Sequence, residues 1–389
     1  MKKLDRFFKT ALCAGMAAMI LLSVSCSKNS NDDDDAEREQ TLRAIVEQYV
    51  DATVVATYKS LADESVALYN ALVALKGAGK TDANVLAAAN KWKSARDYWE
   101  KSEAFLFGPA GDFGIDPHID TWPLAKDELD VVLANDASLA SMAGDEGDVW
   151  VSEYLGRSVL GFHGIEYVLF AGGNPKQATQ ITDREVTYAI AVAGDLRNKC
   201  FQLEASWAGI DNVSAAKKTK LEELELQTTL TGGYSYGEDM LNAGKAGSTQ
   251  KMVVNACETI VEGCITIADE VGAMKIGKPY NGDDVNYIES PYSYNSKVDF
   301  IGNIISIQNV YLGGANAANR KASLSDYIKS VNPNLDAQVR AAIDNAIAKI
   351  EAIPYPFALN YTNAKAGEAV DACVALNDVL ALVKNALNQ

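Results

Sequence analysis

From Leu42 onward the chain is patterned in a helical period. Leu42, Ile45, Val46, Tyr49, Val54, Tyr58 and Leu61 recur largely at spacings of three and four, which predicts one long helix to Lys76. Gly77-Ala78-Gly79-Lys80 stops it, and Thr81-Asp82 supplies a cap for a second helix from Ala83 to Leu106. Gly108-Pro109 breaks that helix and opens an irregular segment through Pro123. A loop of this length inside a compact domain is functional or disordered, and its Phe113, Ile115, Ile119 and Trp122 argue against disorder. Further helices are predicted over Asp127–Leu139, Val149–Phe170 and Thr182–Trp207. The pattern weakens between Gly209 and Ala216, then resumes over Lys218–Leu230, Thr249–Met274 and Val298–Leu312. Short helices start at Ser323 and Asp336, and a last one spans Ala364–Leu387. No run alternates in the two-residue period of a strand. The expected fold is all-α: two helical bundles packed side by side, residues 41–210 and 211–389.

The N-terminus departs from this pattern. Lys2, Lys3, Arg6 and Lys9 precede an apolar run from Ala11 to Val24, too short for a typical membrane-spanning helix and fitted to a signal-peptide core. It ends at Leu22-Ser23-Val24-Ser25-Cys26, which resembles a bacterial lipobox. Residues 1–25 are therefore expected to be removed and Cys26 acylated, anchoring the protein in the outer membrane of a Gram-negative cell. Residues 26–40, with Asp32-Asp33-Asp34-Asp35, read as a disordered acidic tether. Acidic residues behind the lipid cysteine resemble surface-export signals of bacterial lipoproteins.

Charge narrows the range of partners. Loss of residues 1–25 removes four of 35 basic and one of 52 acidic residues, leaving a net charge near −20. Such a surface repels phosphate backbones, which excludes nucleic acid. Cys257 and Cys264 are about 10.5 Å apart along one helix, beyond the ~7 Å reach of a disulfide. No C-x-x-C spacing occurs, and the downstream cysteines are expected as buried free thiols.

The candidate chemistry lies in Gly161-Phe162-His163-Gly164-Ile165-Glu166. His163 and Glu166 are three apart, so both project from one helix face, as in a half-site for a divalent metal. Gly161 and Gly164 would cost a helix about 1 kcal/mol each, a sign of close approach by backbone or ligand. The competing reading is a histidine satisfied by its own glutamate beneath a tight helix contact. The only other histidine is His118, and no second histidine follows His163 to complete a zinc-peptidase pattern. A third ligand must come from His118 or from a carboxylate such as Asp116, Asp120 or Glu103, and a carboxylate-rich set suits iron better than zinc. Arg96 and Glu100, four apart, read as a surface pair; Trp99 and Trp122 read first as core.

Several ordered segments carry a resemblance. Arg96-Asp97-Tyr98-Trp99-Glu100, Glu103 to Pro109, Asp116-Pro117, Ile119-Asp120, Trp122-Pro123 and Gly161-x-His163-x-x-Glu166 resemble the imelysin family. So do Glu289 to Ser293, Asn303 to Gly313 and Pro354 to Phe357. The family is classed among metallopeptidases through this motif, and other members serve iron uptake. The resemblance implies two helical halves with a site near their interface. It assigns His163 and Glu166 as the metal or catalytic pair and places Trp99, Glu103, Asp120 and Trp122 around the same cavity, with Asp116 a further ligand-binding candidate. Ser306 and Asn309 would approach from the second half, whereas His118 matches no part of the pattern. Two activities follow as expectations: binding of a divalent metal or small ligand for uptake with a transporter partner, or metallopeptidase action.

Overall fold

The computed structural model describes residues 30–388. The expected signal peptide and Cys26 lie outside the described residues. Helix α1 (Ser30–Gln48) starts inside the stretch expected to be a disordered tether, where the backbone is helical. It runs through a π-helical segment, Tyr49–Val55, into α2 (Ala56–Val73). Thr81 then caps α3 (Asp82–Glu100) by accepting from the Asn84 N–H, as its sequence predicts. α3 lies along α2, burying Val85, Ala88 and Trp92 with Leu61, Leu68 and Leu72. The short α4 (Gly161–Leu169) packs on α3 and on α5 (Asp183–Ala208), which Thr182 and Glu185 start with a reciprocal capping box.

The second group of helices opens with α6 (Val253–Asp269), which continues into another π segment, Glu270–Ile276. α7 (Ser296–Leu312), α8 (Pro333–Glu351) and α9 (Ala364–Ala386) complete it, with α9 against both α6 and α8. α7 also docks on α3. A Cβ built on Gly302 would stand 2.7 Å from the Glu100 Cβ, so only glycine lets the two helices meet there. Both sets of helices lie inside one compact unit, Glu39–Gln389.

Several predicted helices differ in extent. Asp127–Leu139 divides at Asn135, whose side chain accepts from Ala137 and Ser138 N–H and starts a new helix at Asp136. Lys218–Leu230 shortens to Ala215–Glu223, and the helix near Asp336 is longer than expected. The most consequential break is in Val149–Phe170. Its first part ends at Tyr154, a 3-10 turn spans Arg157–Val159, and α4 starts afresh at Gly161 with φ +67°. His163 is therefore in the first turn of a short helix. The strands Phe170–Ala171 and Asn174–Pro175 form a small antiparallel hairpin just after it.

Cys200, Cys257, Cys264 and Cys373 are buried thiols outside any disulfide among the described residues, as expected. Among the described residues no helix is long and apolar enough to cross a membrane.

Gly161 is irreplaceable on two counts: its positive φ, and the Ile119 carbonyl oxygen 1.9 Å from where a Cβ would stand. Gly161→Ala is expected to destabilise the protein by about 3 kcal/mol. Gly172→Ala, also at positive φ but in open space, should cost about 1 kcal/mol. Urea unfolding of the two variants compares them, and equal losses would refute a role for the Ile119 contact.

Candidate metal centre

The centre is organised around a buried cation. Trp92, Ala95 and Trp99 form the apolar face of α3, and Arg96 sits among them, 0% exposed. The surface pair expected at Arg96 and Glu100 is thus incorrect: both are buried, because position 96 falls on the helix face that α4 and α7 cover. A guanidinium in such a place requires opposite charge around it. Its Nη2 lies 2.6 Å from Glu100 and 2.5 Å from Glu289, its Nη1 pairs with Asp120, and its Nε is 3.8 Å from Asp299. Burial alone would favour the neutral form; Asp120, Glu100, Asp299 and Glu289 hold Arg96 charged. Lys275 adds a second cation from the π segment of the second helix group. Its Nζ lies 3.4 Å from Glu289, 3.6 Å from Glu103 and 3.9 Å from Glu100. π-helical turns inside α-helices recur at functional sites.

His163 meets this cluster from α4. Trp92 Nε1 donates to the Phe162 carbonyl at 2.9 Å, fixing α4 on α3. Contact between Gly161 and the backbone of Ile119 brings the next residue, Asp120, against the imidazole. Gly164 leaves room for the Tyr188 hydroxyl, which donates to the Val159 carbonyl at 2.5 Å. His163 Nδ1 is 3.0 Å from Glu166 Oε2. Its Nε2 is 3.2 Å from Asp120 Oδ1, within ion-pair range but without the alignment of a hydrogen bond. Trp99 Nε1 donates to the other Asp120 oxygen at 2.7 Å, and the Trp122 ring lies over the imidazole at 4.7 Å.

Glu166 has both oxygens engaged. Oε1 accepts from Tyr292 N–H at 3.1 Å, Ser293 N–H at 2.8 Å and Ser293 Oγ at 2.7 Å, while Oε2 faces His163. It orients the imidazole and has no oxygen free to ligate or act as a base, contrary to the role its spacing suggested. The loop supplying these donors holds Ser290 and Tyr294 at φ 49° and 57°. Left-handed non-glycine residues cost of order 1–3 kcal/mol each. Ser290 is held there by its 2.6 Å hydrogen bond to Asp299.

Glu103, Asp116, Asp120 and Trp122 line a cleft of about 230 Å³ together with Glu270, Lys275, Tyr287 and Glu289. Trp99 is core and anchors Asp120 from behind. Ser306 acts at one remove: it accepts from Ala104 N–H at 3.0 Å and so holds the turn after α3. Asn309 lies farther along α7, where its carbonyl accepts from Gly314, and it takes no part in the cluster. His118 pairs with Asp195 at 2.7 Å, apart from His163. Arg96, Glu100, Lys275, Glu289 and Asp299 had no predicted site role. For Arg96 the signal was present, since it falls three and four residues from two tryptophans. Glu289 lay in a segment noted only for family resemblance.

Six carboxylates (Glu100, Glu103, Asp120, Glu166, Glu289 and Asp299) surround three basic groups, Arg96, His163 and Lys275. The excess negative charge must be met by protons or by another cation. Burial pushes Glu100 and Glu103 well above the usual carboxylate range and Asp299 up to about 7, in each case against the pull of Arg96 or Lys275. Asp116 rises to about 7 through burial and the neighbouring Asp120. Asp120 goes the other way: burial would raise it, but Arg96 and His163 hold it far below. Burial would lower His163, yet Asp120 and Glu166 outweigh it and take the imidazole to about 9.

The donors fit a divalent cation. One ligand atom each from Asp120, His163 and Glu289 lie within 4.8 Å of one another, as do a set from Glu100, Glu103 and Asp120. His163 Nε2 and Glu289 Oε2 are buried without a hydrogen-bond partner. One imidazole among carboxylates is a donor set for a hard or borderline ion.

Fold and site together define an all-helical protein with a histidine–carboxylate centre enclosed between two groups of helices. The chain belongs to the imelysin family: that family's profile, described as Imelysin, matches residues 54–383. It is 27% identical over 376 residues to Iron-regulated protein A of Synechococcus elongatus, covering 96% of this chain and 92% of that one. A crystal structure described as an iron-regulated protein A precursor from Parabacteroides distasonis superposes with TM-score 0.75 and 29% identity, over 90% of this chain and 95% of that one. An imelysin-like protein from Psychrobacter arcticum, 13% identical, shares the fold with TM-score 0.60 over 88% and 93% of the two chains.

Replacing Arg96 by Met should cost about 3–5 kcal/mol, because it leaves buried carboxylates uncompensated. Denaturant unfolding measures it; a loss below about 1 kcal/mol would show that the cluster does not depend on this cation. The raised groups also set a pH dependence. Asp299, raised from 3.8, stabilises fully below about pH 4 and loses that contribution as pH rises through about 7. His163, raised from 6.5, loses its contribution as pH rises through about 9. The metal-free protein should therefore have a higher urea midpoint at about pH 5.5 than at about pH 8.5, and Asp299→Asn should flatten the difference. A midpoint that rises with pH would contradict both signs.

Proposed function

We propose that this chain is an envelope lipoprotein that holds a divalent cation, iron foremost, at Asp120, His163 and Glu289 in the acidic cleft, in the service of iron uptake. The observation that supports this reading is the convergence of those three donors, with Asp120 and Glu289 lining the cleft and the buried His163 Nε2 behind them lacking a hydrogen-bond partner. Glu166 supports it as the group that orients the imidazole, and Glu103 and Glu100 supply further carboxylate charge. A bound divalent cation would neutralise the excess negative charge that protons otherwise meet. The names of the relatives from Synechococcus elongatus and Parabacteroides distasonis, both iron-regulated proteins, agree with iron. The acyl anchor on Cys26 would hold the protein at the outer membrane, and a transporter would take up the cation.

The metallopeptidase reading has one observation in its favour. Asp116, on the cleft wall with its carboxyl near 7, has the proton affinity of a general base. Against it, Glu166 is fully engaged and Glu103 faces Lys275, so neither can serve as that base.

Anaerobic titration with ferrous iron, checked against zinc and copper, separates these readings. Wild type is expected to bind one ion, His163→Ala to lose it, and Glu166→Gln to weaken it by about 10–100-fold. Binding that is absent in wild type, or unchanged in His163→Ala, would defeat the cation proposal. Cleavage of a peptide library that is abolished by Asp116→Asn would favour the enzyme.

A further inference from the structure

The charge of the cleft restricts the form in which a cation can arrive. Five carboxylates line it (Glu103, Asp116, Asp120, Glu270 and Glu289), against Lys275 as the one basic residue. These charges are arranged by depth. Asp116 and Glu270 are half-buried, whereas Glu103, Glu289 and Lys275 are buried. The buried ammonium is already matched, lying within 4 Å of three carboxylates, so it offers an incoming anion little. An approaching solute therefore meets Asp116 and Glu270 with no cation beside them in the lining. Beyond them, the wholly buried His163 presents an Nε2 with no hydrogen-bond partner, within 4.8 Å of ligand atoms of Asp120 and Glu289.

Trp122 joins the cleft to this histidine: it lines the cleft, its ring lies 4.7 Å from the His163 ring, and its Nε1 donates to the Asn286 carbonyl at 3.1 Å.

Resting on the cation reading above, we infer that the substrate of this site is the hydrated divalent ion itself, and that anionic chelates of the metal are excluded. The half-buried Asp116 and Glu270 draw the ion in and repel a chelate whose net charge is negative. The carboxylates and His163 then replace its waters one by one, a substitution a tight chelate does not allow.

The test uses the mature chain with two sets of probes: ferrous or cobaltous aquo ion, and ferric citrate, ferric EDTA or haem. Tryptophan fluorescence and calorimetry read binding, and stopped flow reads its rate. The aquo ion is expected to bind, with an association rate that falls at least tenfold between low and physiological ionic strength. The chelates should show no binding at a hundredfold higher concentration. Glu270→Lys should slow ion entry at least tenfold and flatten its salt dependence. Asp116→Asn, which is nearly isosteric, should act in the same direction and guards against misfolding of the first variant. The inference is overturned if any anionic chelate binds and is displaced by the aquo ion, or if entry ignores both salt and Glu270→Lys. Failure of every aquo ion to bind would instead overturn the cation reading on which it rests.

Discussion

A guanidinium without water is the constraint to which the rest of this molecule is fitted. Arg96 is fully enclosed, and a charge in that position is tolerated only if carboxylates surround it. They come from four parts of the chain: Glu100 on the same helix, Asp120 from the irregular segment, Glu289 from the loop before α7, and Asp299 from α7 itself. Closing the cluster therefore joins the two helix groups. Residues about 200 positions apart must be in place together before any of these charges is satisfied. This explains why Glu39–Gln389 forms one compact unit although its helices fall into two sets.

The local devices that complete the cluster are of different kinds. Glycines set close approach: Gly302 lets α7 meet α3 at Glu100, and Gly161 lets α4 meet Ile119, so Asp120 arrives beside His163. A π segment delivers Lys275 to three carboxylates. A strained loop, with Ser290 and Tyr294 in left-handed conformations, turns two backbone N–H groups and a hydroxyl onto Glu166. Each device costs conformational freedom that the helices alone would not require. Their concentration around His163 and Arg96 is the physical reason to place the site there.

Much of this was legible in the sequence. The period of three and four gave the helices, and the capping residue Thr81 marked one of their starts. Glycines at 161 and 164 signalled close approach, and in the structure a peptide backbone and a tyrosine hydroxyl are what approach. Partner identity was far less legible. Arg96 and Glu100 fit an exposed i,i+4 pair equally well, and only the tryptophans three and four residues away hinted that this helix face is covered. Lys275, Glu289 and Asp299 could not be connected with His163, because their proximity depends on how α6 and α7 settle against α3. The role of Glu166 was misread for a related reason: spacing shows that it shares a face with His163, but not that Ser293 will occupy its other oxygen.

The built-in cations also bear on what kind of site this can be. A metal centre that relies on the ion for its charge balance is commonly unfolded without it. Here Arg96 and Lys275 neutralise part of the carboxylate charge permanently, and raised proton affinities at Glu100, Glu103 and Asp299 cover more of it. The helices can then close in the absence of a ligand, with the donors already gathered. The same cations weaken any ion that enters, because it must share Asp120 and Glu289 with Arg96 and displace the proton on His163. If the site holds a cation as proposed, affinity limited in this way, and lower in acid than in base, would suit passing the cation on better than storing it.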